Sequence, residues 1–371
     1  MKKQIGISYY PDFYDNKKCV EILDYAYELG YRIIFTSLIL NDYGFENTVE
    51  GISEKTQFFL DYAAKKGFEV HADVTKKILH QLGASIEDLS AFETLNIPVI
   101  RLDGGFDDDE VIKLTRNRMD IKIEENLSNF RILERRLVRV DEEGNIDNYL
   151  ACHNFYPRND TGISLEDAVA GAKIFNRYNV KTGIFIGSQA SKSDLNQLGQ
   201  ATMTVEEHRY LPSDVQLSEL LCNDVFDYFI FGDSHPSIKE LQVVSQTLKD
   251  FITEEKPVIH VPVHFEELSE EILDTIQSTI FSPRIDVSDK VIRGTETRGK
   301  IDIEKDNIYE RIKGAVTIDN NDSVRYGGEL QLALEDFPPA KNANVVGYVK
   351  PYALRLLPYL KNIEYRFKLT R

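Results

Sequence analysis

Pro98-Val99-Ile100-Arg101-Leu102-Asp103 begins with apolar residues and ends with charged residues at alternate positions. Other apolar runs end in the same way, at His71-Ala72-Asp73, Lys122-Ile123-Glu124 and Cys152-His153-Asn154. The pattern is typical of β-strands with polar carboxyl ends, since successive side chains of a strand alternate between its two faces. Such ends meet in space if parallel strands close into a (β/α)8 barrel, whose chemistry lies at the carboxyl ends of its strands.

The first part of the chain repeats a strand, a polar loop and an amphipathic helix. Gly30 and Gly67 follow two of these helices, where a C-cap favours a left-handed residue. No G-x-G-x-x-G motif follows any strand, which favours a barrel over a doubly wound sheet. The predicted barrel strands are residues 4–8, 32–37, 68–73, 98–103, 120–124, 149–155, 180–186 and 226–231.

The pattern changes after about residue 255, where short strand-like segments alternate with turn-rich ones. Many short strands at this spacing predict a small β-barrel. We therefore predict a TIM-barrel catalytic domain over residues 1–254 and a smaller β-barrel domain over residues 255–371.

Composition limits the classes of partner. The formal net charge of −17 disfavours nucleic-acid binding, which needs clustered cationic residues to neutralise phosphates. No segment reaches the roughly 18 uninterrupted apolar residues of a membrane span, and no apolar signal segment follows Met1. The three cysteines show no C-x-x-C spacing. We expect a cytoplasmic protein that binds neither nucleic acid nor membrane.

Three carboxylates lie at predicted strand ends: Asp73, Asp103 and Glu124. Glycoside cleavage needs a protonated acid at the leaving oxygen and a second group at the anomeric carbon, and crowded carboxylates divide these roles by shifting each other's pKa. We predict that two of the three form this catalytic pair. Metal ligation is the alternative role for His71, Asp73, Glu124 and His153, since oxygen and imidazole donors suit divalent metals. No H-x-H or H-E-x-x-H motif supports a metal site, and we predict none.

Polar and cationic residues near the same strand ends are candidates for substrate binding. The segment from Cys152 to Arg158 supplies an imidazole, an amide, a phenol and a guanidinium, although His153 is equally consistent with a buried, hydrogen-bonded histidine. The loop over residues 187–211 is a candidate phosphate site, since barrels often bind phosphate after strands seven and eight. The predicted substrate-binding residues are Arg101, Asn126, His153, Asn154, Tyr156, Arg158, His208 and Arg209.

Several motifs resemble those of the 6-phospho-N-acetylmuramidases of glycoside hydrolase family 170. They include Ser8-Tyr9-Tyr10-Pro11, Arg101-Leu102-Asp103-Gly104-Gly105-Phe106, Cys152-His153-Asn154-Phe155-Tyr156-Pro157, residues 204–209 and Tyr326-Gly327-Gly328-Glu329-Leu330-Gln331. The resemblance covers nearly the whole chain, and Glu124 and Asn126 match the family's fifth strand. It implies a TIM barrel followed by a cyclophilin-like β-barrel.

The resemblance also implies hydrolysis of the β-1,4 bond between N-acetylmuramate 6-phosphate and N-acetylglucosamine during cell-wall recycling, without a cofactor. The expected partner is therefore a phosphorylated amino-sugar disaccharide. The N-acetyl group of the substrate could itself be the nucleophile, so the mechanism stays open. The second domain either lends Arg325 or Glu329 to the site or serves packing or homodimer formation. A metal-dependent sugar-phosphate isomerase or epimerase and a non-catalytic sugar-binding protein are the alternatives.

Overall fold

The computed structural model describes residues 3–11, 14–38, 52–190, 201–234, 236–253 and 255–371. Eight parallel strands form a closed barrel in chain order, in which β1 pairs with both β2 and β8. This confirms the predicted (β/α)8 barrel. The strands are β1 (Gln4–Ser8), β2 (Ile33–Ser37), β3 (Glu69–Val74), β4 (Val99–Leu102), β5 (Lys122–Asn126), β6 (Tyr149–Cys152), β7 (Lys181–Ile186) and β8 (Tyr228–Phe231).

Helices separate the strands, and one further helix lies in the second part of the chain. They are α1 (Asn16–Glu28), α2 (Glu54–Lys66), α3 (Lys76–Gln81), α4 (Ser90–Thr94), α5 (Asp108–Thr115), α6 (Phe130–Glu143), α7 (Leu165–Asn176), α8 (Ser213–Asn223), α9 (Ile238–Phe251) and α10 (Glu270–Ser278).

Local sequence signals set several helix ends. The side chain of Ser53 accepts a hydrogen bond from the backbone N–H of Thr56 and so caps the start of α2. Gly67 ends the same helix with φ of 86°, as the sequence predicts. Asp107 and Glu110 form a reciprocal capping box at the start of α5.

The barrel interior is packed with large side chains. Phe35, Phe185, Cys152 and Tyr228 belong to one buried cluster inside the strands. The ring of Tyr228 lies across β7 at Gly183, where an added Cβ would lie 2.0 Å from the ring. A side chain at position 183 would therefore displace this ring.

The second sheet has six strands in the order β10-β12-β11-β13-β9-β14 and curls into a half-barrel. Its strands are β9 (Val258–Phe265), β10 (Val291–Gly294), β11 (Ala315–Asp319), β12 (Leu330–Ala333), β13 (Ala343–Val349) and β14 (Arg366–Thr370). A 3-10 helix over Pro351–Lys361 places buried leucines, including Leu356 and Leu360, in this part of the chain.

The chain divides into two compact units. The barrel unit comprises residues 1–216 and 223–245, and the C-terminal unit comprises residues 217–222 and 246–371. Within the described ranges, no helix combines the length and apolar character needed to cross a bilayer.

Candidate active site

Strand register places three of the predicted site residues in one row across the barrel. Asp73 of β3 is the direct neighbour of Arg101 in β4. Arg101 is in turn the direct neighbour of Glu124 in β5. In-register residues of neighbouring strands share a face of the sheet, so an arginine lies between two carboxylates.

Glu124 is fully buried and bound by three partners. Its Oε2 lies 2.7 Å from Nδ1 of His71 and accepts a hydrogen bond of 2.5 Å from the hydroxyl of Tyr228. Its Oε1 accepts a hydrogen bond of 3.2 Å from Arg101. Burial raises the pKa of this carboxyl, but His71, Arg101 and Tyr228 outweigh burial and lower the pKa to about 2. Glu124 is therefore a fixed anion inside the barrel.

His71 joins this anion to the amino-terminal end of β3. Its Nε2 lies 3.0 Å from Oε1 of Glu69, while Nδ1 contacts Glu124. Burial lowers the pKa of His71, but the two carboxylates more than offset it and raise the pKa to about 9. At neutral pH the ring is thus an imidazolium that donates from both nitrogens.

Arg101 distributes its donors over several strands. Besides Glu124, it donates to the carbonyl of Cys152 at 2.9 Å and to the side-chain oxygen of Asn154. Its Nε lies 3.4 Å from Oδ1 of Asp73. The side chain is nearly completely buried, so these contacts hold the guanidinium beside Asp73 and leave it unavailable to a ligand.

Asp73 differs from Glu124 in both exposure and charge. Its side chain keeps 19% of its surface accessible, and its Oδ1 forms no hydrogen bond with the described residues. Burial raises the pKa of Asp73 to about 7; Arg101 opposes this shift, and the charges of Asp103 and Glu124 add to it. Near neutral pH a substantial fraction of this carboxyl is protonated.

Asp103 follows the last residue of β4 and is exposed. Its backbone N–H donates to the carbonyl of Val74 at 3.0 Å, which holds the two strand ends together. The charge of Asp103 acts on Asp73, so these two predicted acids lie near one another.

The structure places His153 outside this network. Its side chain has no exposed surface, its Nε2 contacts the carbonyl of Ala168 in α7, and its Nδ1 contacts the hydroxyl of Ser128. Burial lowers the pKa of the ring to about 3, so it is neutral. This arrangement supports the structural interpretation of His153 and presents neither nitrogen to a ligand.

Arg209, predicted to bind phosphate, is likewise engaged within the protein. The side chain is 1% exposed, and two of its nitrogens donate to the carboxylate of Glu206 at 2.6 Å each. It also donates to the carbonyls of Tyr156, Arg158 and Ala201. Because its donors are used internally, Arg209 ties two loops together. His208 is fully buried too, and residues 191–200 of the predicted phosphate loop lie outside the described residues.

The remaining predicted binding residues differ in accessibility. Asn126 and Asn154 are half-buried; the first caps the turn after β5, and the second accepts from Arg101. Tyr156 is half-buried in the loop after β6. The guanidinium of Arg158 is exposed and pairs with no carboxylate among the described residues. Arg158 is therefore the predicted cation with the greatest freedom to bind an anion.

No group of three or more histidine, cysteine or acidic side chains in the described ranges has the arrangement of a metal site. His71 and Glu124, two of the metal ligands considered from sequence, bind each other directly.

Family models match both parts of the chain. The model of the N-terminal part of 6-phospho-N-acetylmuramidase covers residues 5–246, and that of the C-terminal part covers residues 259–370. The chain belongs to this family. It is accordingly a glycosidase, and the resemblance stated from the sequence is confirmed.

Two solved structures match the whole fold of this family member. An uncharacterized B. cereus protein is 28% identical, with a TM-score of 0.82 and 100% of each chain covered. A conserved Enterococcus faecalis protein of unknown function is 22% identical, with a TM-score of 0.76, and the match covers 99% of this chain and 96% of the other. The second shows the fold alone. No curated protein gives a significant match.

Sequence reasoning did not single out three further residues of the barrel strands and their ends: Glu69, Tyr228 and Asp233. Glu69 shares the parity of His71 and Asp73 along β3, so the alternation could have indicated it. Tyr228 gave no signal, since an aromatic residue at the start of a buried strand is typical of core. Asp233 lies two residues after the end of β8. It is buried and accepts hydrogen bonds from the backbone amides of Ser188 and Thr202, and burial raises its pKa to about 7.

Proposed function

We propose that this glycosidase hydrolyses the β-1,4 bond between N-acetylmuramate 6-phosphate and N-acetylglucosamine, in the cytoplasm, during the recycling of cell-wall fragments. The matches to both family models and the carboxylates at the barrel's strand ends support this proposal. In this proposal the half-barrel is the family's cyclophilin-like domain.

The observation that carries the proposal is the state of Asp73. Its side chain is 19% exposed, its buried Oδ1 faces Arg101 at 3.4 Å, and burial raises its pKa to about 7. A general acid must hold its proton near the working pH and reach the leaving oxygen. Asp73 therefore protonates the glycosidic oxygen while the bond from that oxygen to the anomeric carbon breaks.

Asp103 is the second carboxylate of the proposed pair. It is exposed at the end of the neighbouring strand, and its charge is felt by Asp73. It acts at the anomeric carbon by activating water, by attacking directly, or by orienting the acetamido group of the substrate. The anomer released first separates inversion from the two retaining routes.

Glu124 has a positioning role in this proposal. It has no exposed surface and holds His71, Arg101 and Tyr228, so it does not reach a sugar. Its charge fixes Arg101, and Arg101 in turn fixes the position of Asp73. Removing the carboxylate changes catalysis through this chain of contacts.

Arg158 is the proposed contact for the anionic part of the substrate. It follows β6 on the loop that starts at the carboxyl end of the barrel, and its guanidinium is exposed and unpaired among the described residues. A guanidinium suits phosphate because its planar fork donates two parallel hydrogen bonds.

The proposal is tested by incubating the protein with the 6-phosphorylated and the unphosphorylated muramyl disaccharide and following the products by mass spectrometry. We expect N-acetylglucosamine and N-acetylmuramate 6-phosphate from the first substrate and much slower cleavage of the second. An intact phosphorylated disaccharide after prolonged incubation would contradict the proposal.

A further inference from the structure

Three arginines of the C-terminal unit surround one phenol. The guanidinium carbons of Arg293, Arg298 and Arg325 lie 5.8, 5.0 and 5.7 Å from the ring centroid of Tyr326. We name these four residues the arginine cluster. The chain as a whole is acidic, with a formal net charge of −17, yet three cationic side chains lie close together here. Because like charges repel, such a cluster needs anionic groups beside it.

Two buried carboxylates, Glu329 and Asp319, account for part of this charge. Glu329 has no exposed surface; Arg293 Nε donates to it at 2.5 Å and Arg298 Nε at 2.6 Å. Burial raises the pKa of Glu329, but the two arginines outweigh burial and lower it, so the carboxyl stays ionised. The Nη1 groups of both arginines form no hydrogen bond with the described residues, and each keeps donors for another anion.

Arg325 has no such carboxylate. It is exposed and forms neither a hydrogen bond nor an ion pair through its guanidinium with any residue that the structure describes. Its neighbour Tyr326 is 38% exposed, so the cluster is accessible to solvent. The nearby Arg284 is neutralised by Asp286, to which it donates at 2.6 and 2.8 Å.

The backbone holds the cluster in place. Gly328 has φ of +81°, and an added Cβ would lie 2.7 Å from the carbonyl oxygen of Thr297. Thr297 donates from its hydroxyl to the carbonyl of Gly328 at 2.7 Å, and the N–H of Gly299 donates to the carbonyl of Gly327. The loop that carries Arg298 is thus fixed to the turn that carries Tyr326, which reduces the ordering cost of binding a ligand.

We propose that the arginine cluster binds the phosphate group of a phosphate monoester. A phosphate presents several strong acceptor oxygens and up to two negative charges, which match the unused donors of Arg293 and Arg298 and the unpaired Arg325. Tyr326 offers an apolar face to the organic part of the ligand. All four residues of this site belong to the C-terminal unit.

The test uses the full chain with 13C-labelled tyrosine rings, with the Tyr326 resonance assigned from Tyr326→Phe. Inorganic phosphate, glucose 6-phosphate and glucose are titrated in turn. We expect the Tyr326 resonance to shift with both phosphates and not with glucose. Glucose 6-phosphate should bind more tightly than inorganic phosphate, because its organic part contacts the ring. Arg325→Gln, which removes no internal hydrogen bond or ion pair among the described residues, should weaken binding roughly tenfold.

Arg311→Gln is the control for loss of a cation over an aromatic ring, since Arg311 lies over Phe337 at 5.1 Å outside the cluster and also donates to the carbonyl of Pro338 at 3.1 Å. It should leave the titration unchanged. Arg298→Lys keeps a charge beside Glu329 and should weaken binding severalfold while the protein stays folded. Asp73→Asn should give the wild-type titration even though its glycosidase activity is strongly reduced. No shift of Tyr326, or equal affinity in wild type and Arg325→Gln, overturns the proposal.

Discussion

Asp73 and Arg101 are direct neighbours in the register of β3 and β4, and Oδ1 of the first lies 3.4 Å from Nε of the second. The same guanidinium is bound to Glu124 on its other side. The two carboxyls that flank Arg101 nevertheless differ in pKa. Glu124 is ionised, with a pKa of about 2, whereas burial raises the pKa of Asp73 to about 7. Asp73 and Glu124 therefore have different protonation states near neutral pH, although they lie in one row.

Replacement of the proposed acid should abolish most of the activity. Asp73→Asn keeps the size of the side chain but cannot donate an acidic proton, so we expect kcat to fall roughly 100- to 10,000-fold. Thermal unfolding should change little, since the side chain lacks a close hydrogen bond on Oδ1. Asp61→Asn on the exposed face of α2 is the control. Wild-type turnover in Asp73→Asn would remove this residue from the mechanism.

Loss of the buried carboxylate should affect stability as well as rate. Glu124→Gln leaves His71 and Arg101 as buried cations without their shared anion, and we expect a destabilisation of about 3–5 kcal/mol, measured by chemical denaturation. Glu143→Gln removes the carboxylate of an exposed pair with Arg139 and should leave stability nearly unchanged. Equal stability of the two variants would show that the Glu124 network contributes nothing to folding.

The imidazolium of His71 should make stability depend on pH. Its pKa is about 9 in the folded protein and 6.5 as an unperturbed group, so folding binds the proton more tightly. The stabilisation is complete below pH 6.5 and is lost as the pH rises through about 9. The difference in unfolding free energy between wild type and His71→Asn should shrink over this range, by no more than about 3 kcal/mol. Replacing the exposed His80 by Asn is the control and should leave the pH dependence of the unfolding free energy unchanged. If the difference between wild type and His71→Asn stayed constant with pH, this protonation state of His71 would be contradicted.

Arg158 and Arg209 should give opposite phenotypes. Arg158→Gln should raise KM for the phosphorylated disaccharide about tenfold without loss of stability, because Arg158 is exposed and its guanidinium forms no ion pair with the described residues. Arg209→Gln should lower the melting temperature, since it removes the guanidinium that donates to Glu206 and to three backbone carbonyls. Exposed Arg177→Gln is the control for surface charge. Unchanged KM in Arg158→Gln would assign phosphate recognition to other residues.

The strand ends were predictable because alternation of polar and apolar residues reports directly on which face a side chain occupies. The row of Asp73, Arg101 and Glu124 follows from this parity. His153 has the opposite parity to Cys152, which lies inside the barrel, and it points to α7 instead. A histidine at this point suggested a substrate-binding residue, but the face of the strand on which His153 lies determines its environment.

Depth within the barrel and pairing partners were not predictable. Nothing in the sequence near Tyr228 indicates that its hydroxyl reaches Glu124, because that contact joins β8 to β5 across the barrel interior. The cationic character of Arg209 similarly suggested a ligand, whereas its contact with Glu206 buries it. The segment Pro351–Lys361 is a 3-10 helix, with Pro351 at its start and Pro358 inside it.

The pH dependence of kcat/KM for the phosphorylated disaccharide tests the central assignment most directly. If Asp73 is the general acid, kcat/KM falls on the alkaline side of the profile with an apparent pKa near 7. The residual activity of Asp73→Asn should lack this alkaline fall. The phosphate of the substrate also titrates, and 31P NMR of the free substrate measures that pKa separately. An alkaline limb that is identical in wild type and Asp73→Asn would contradict the assignment.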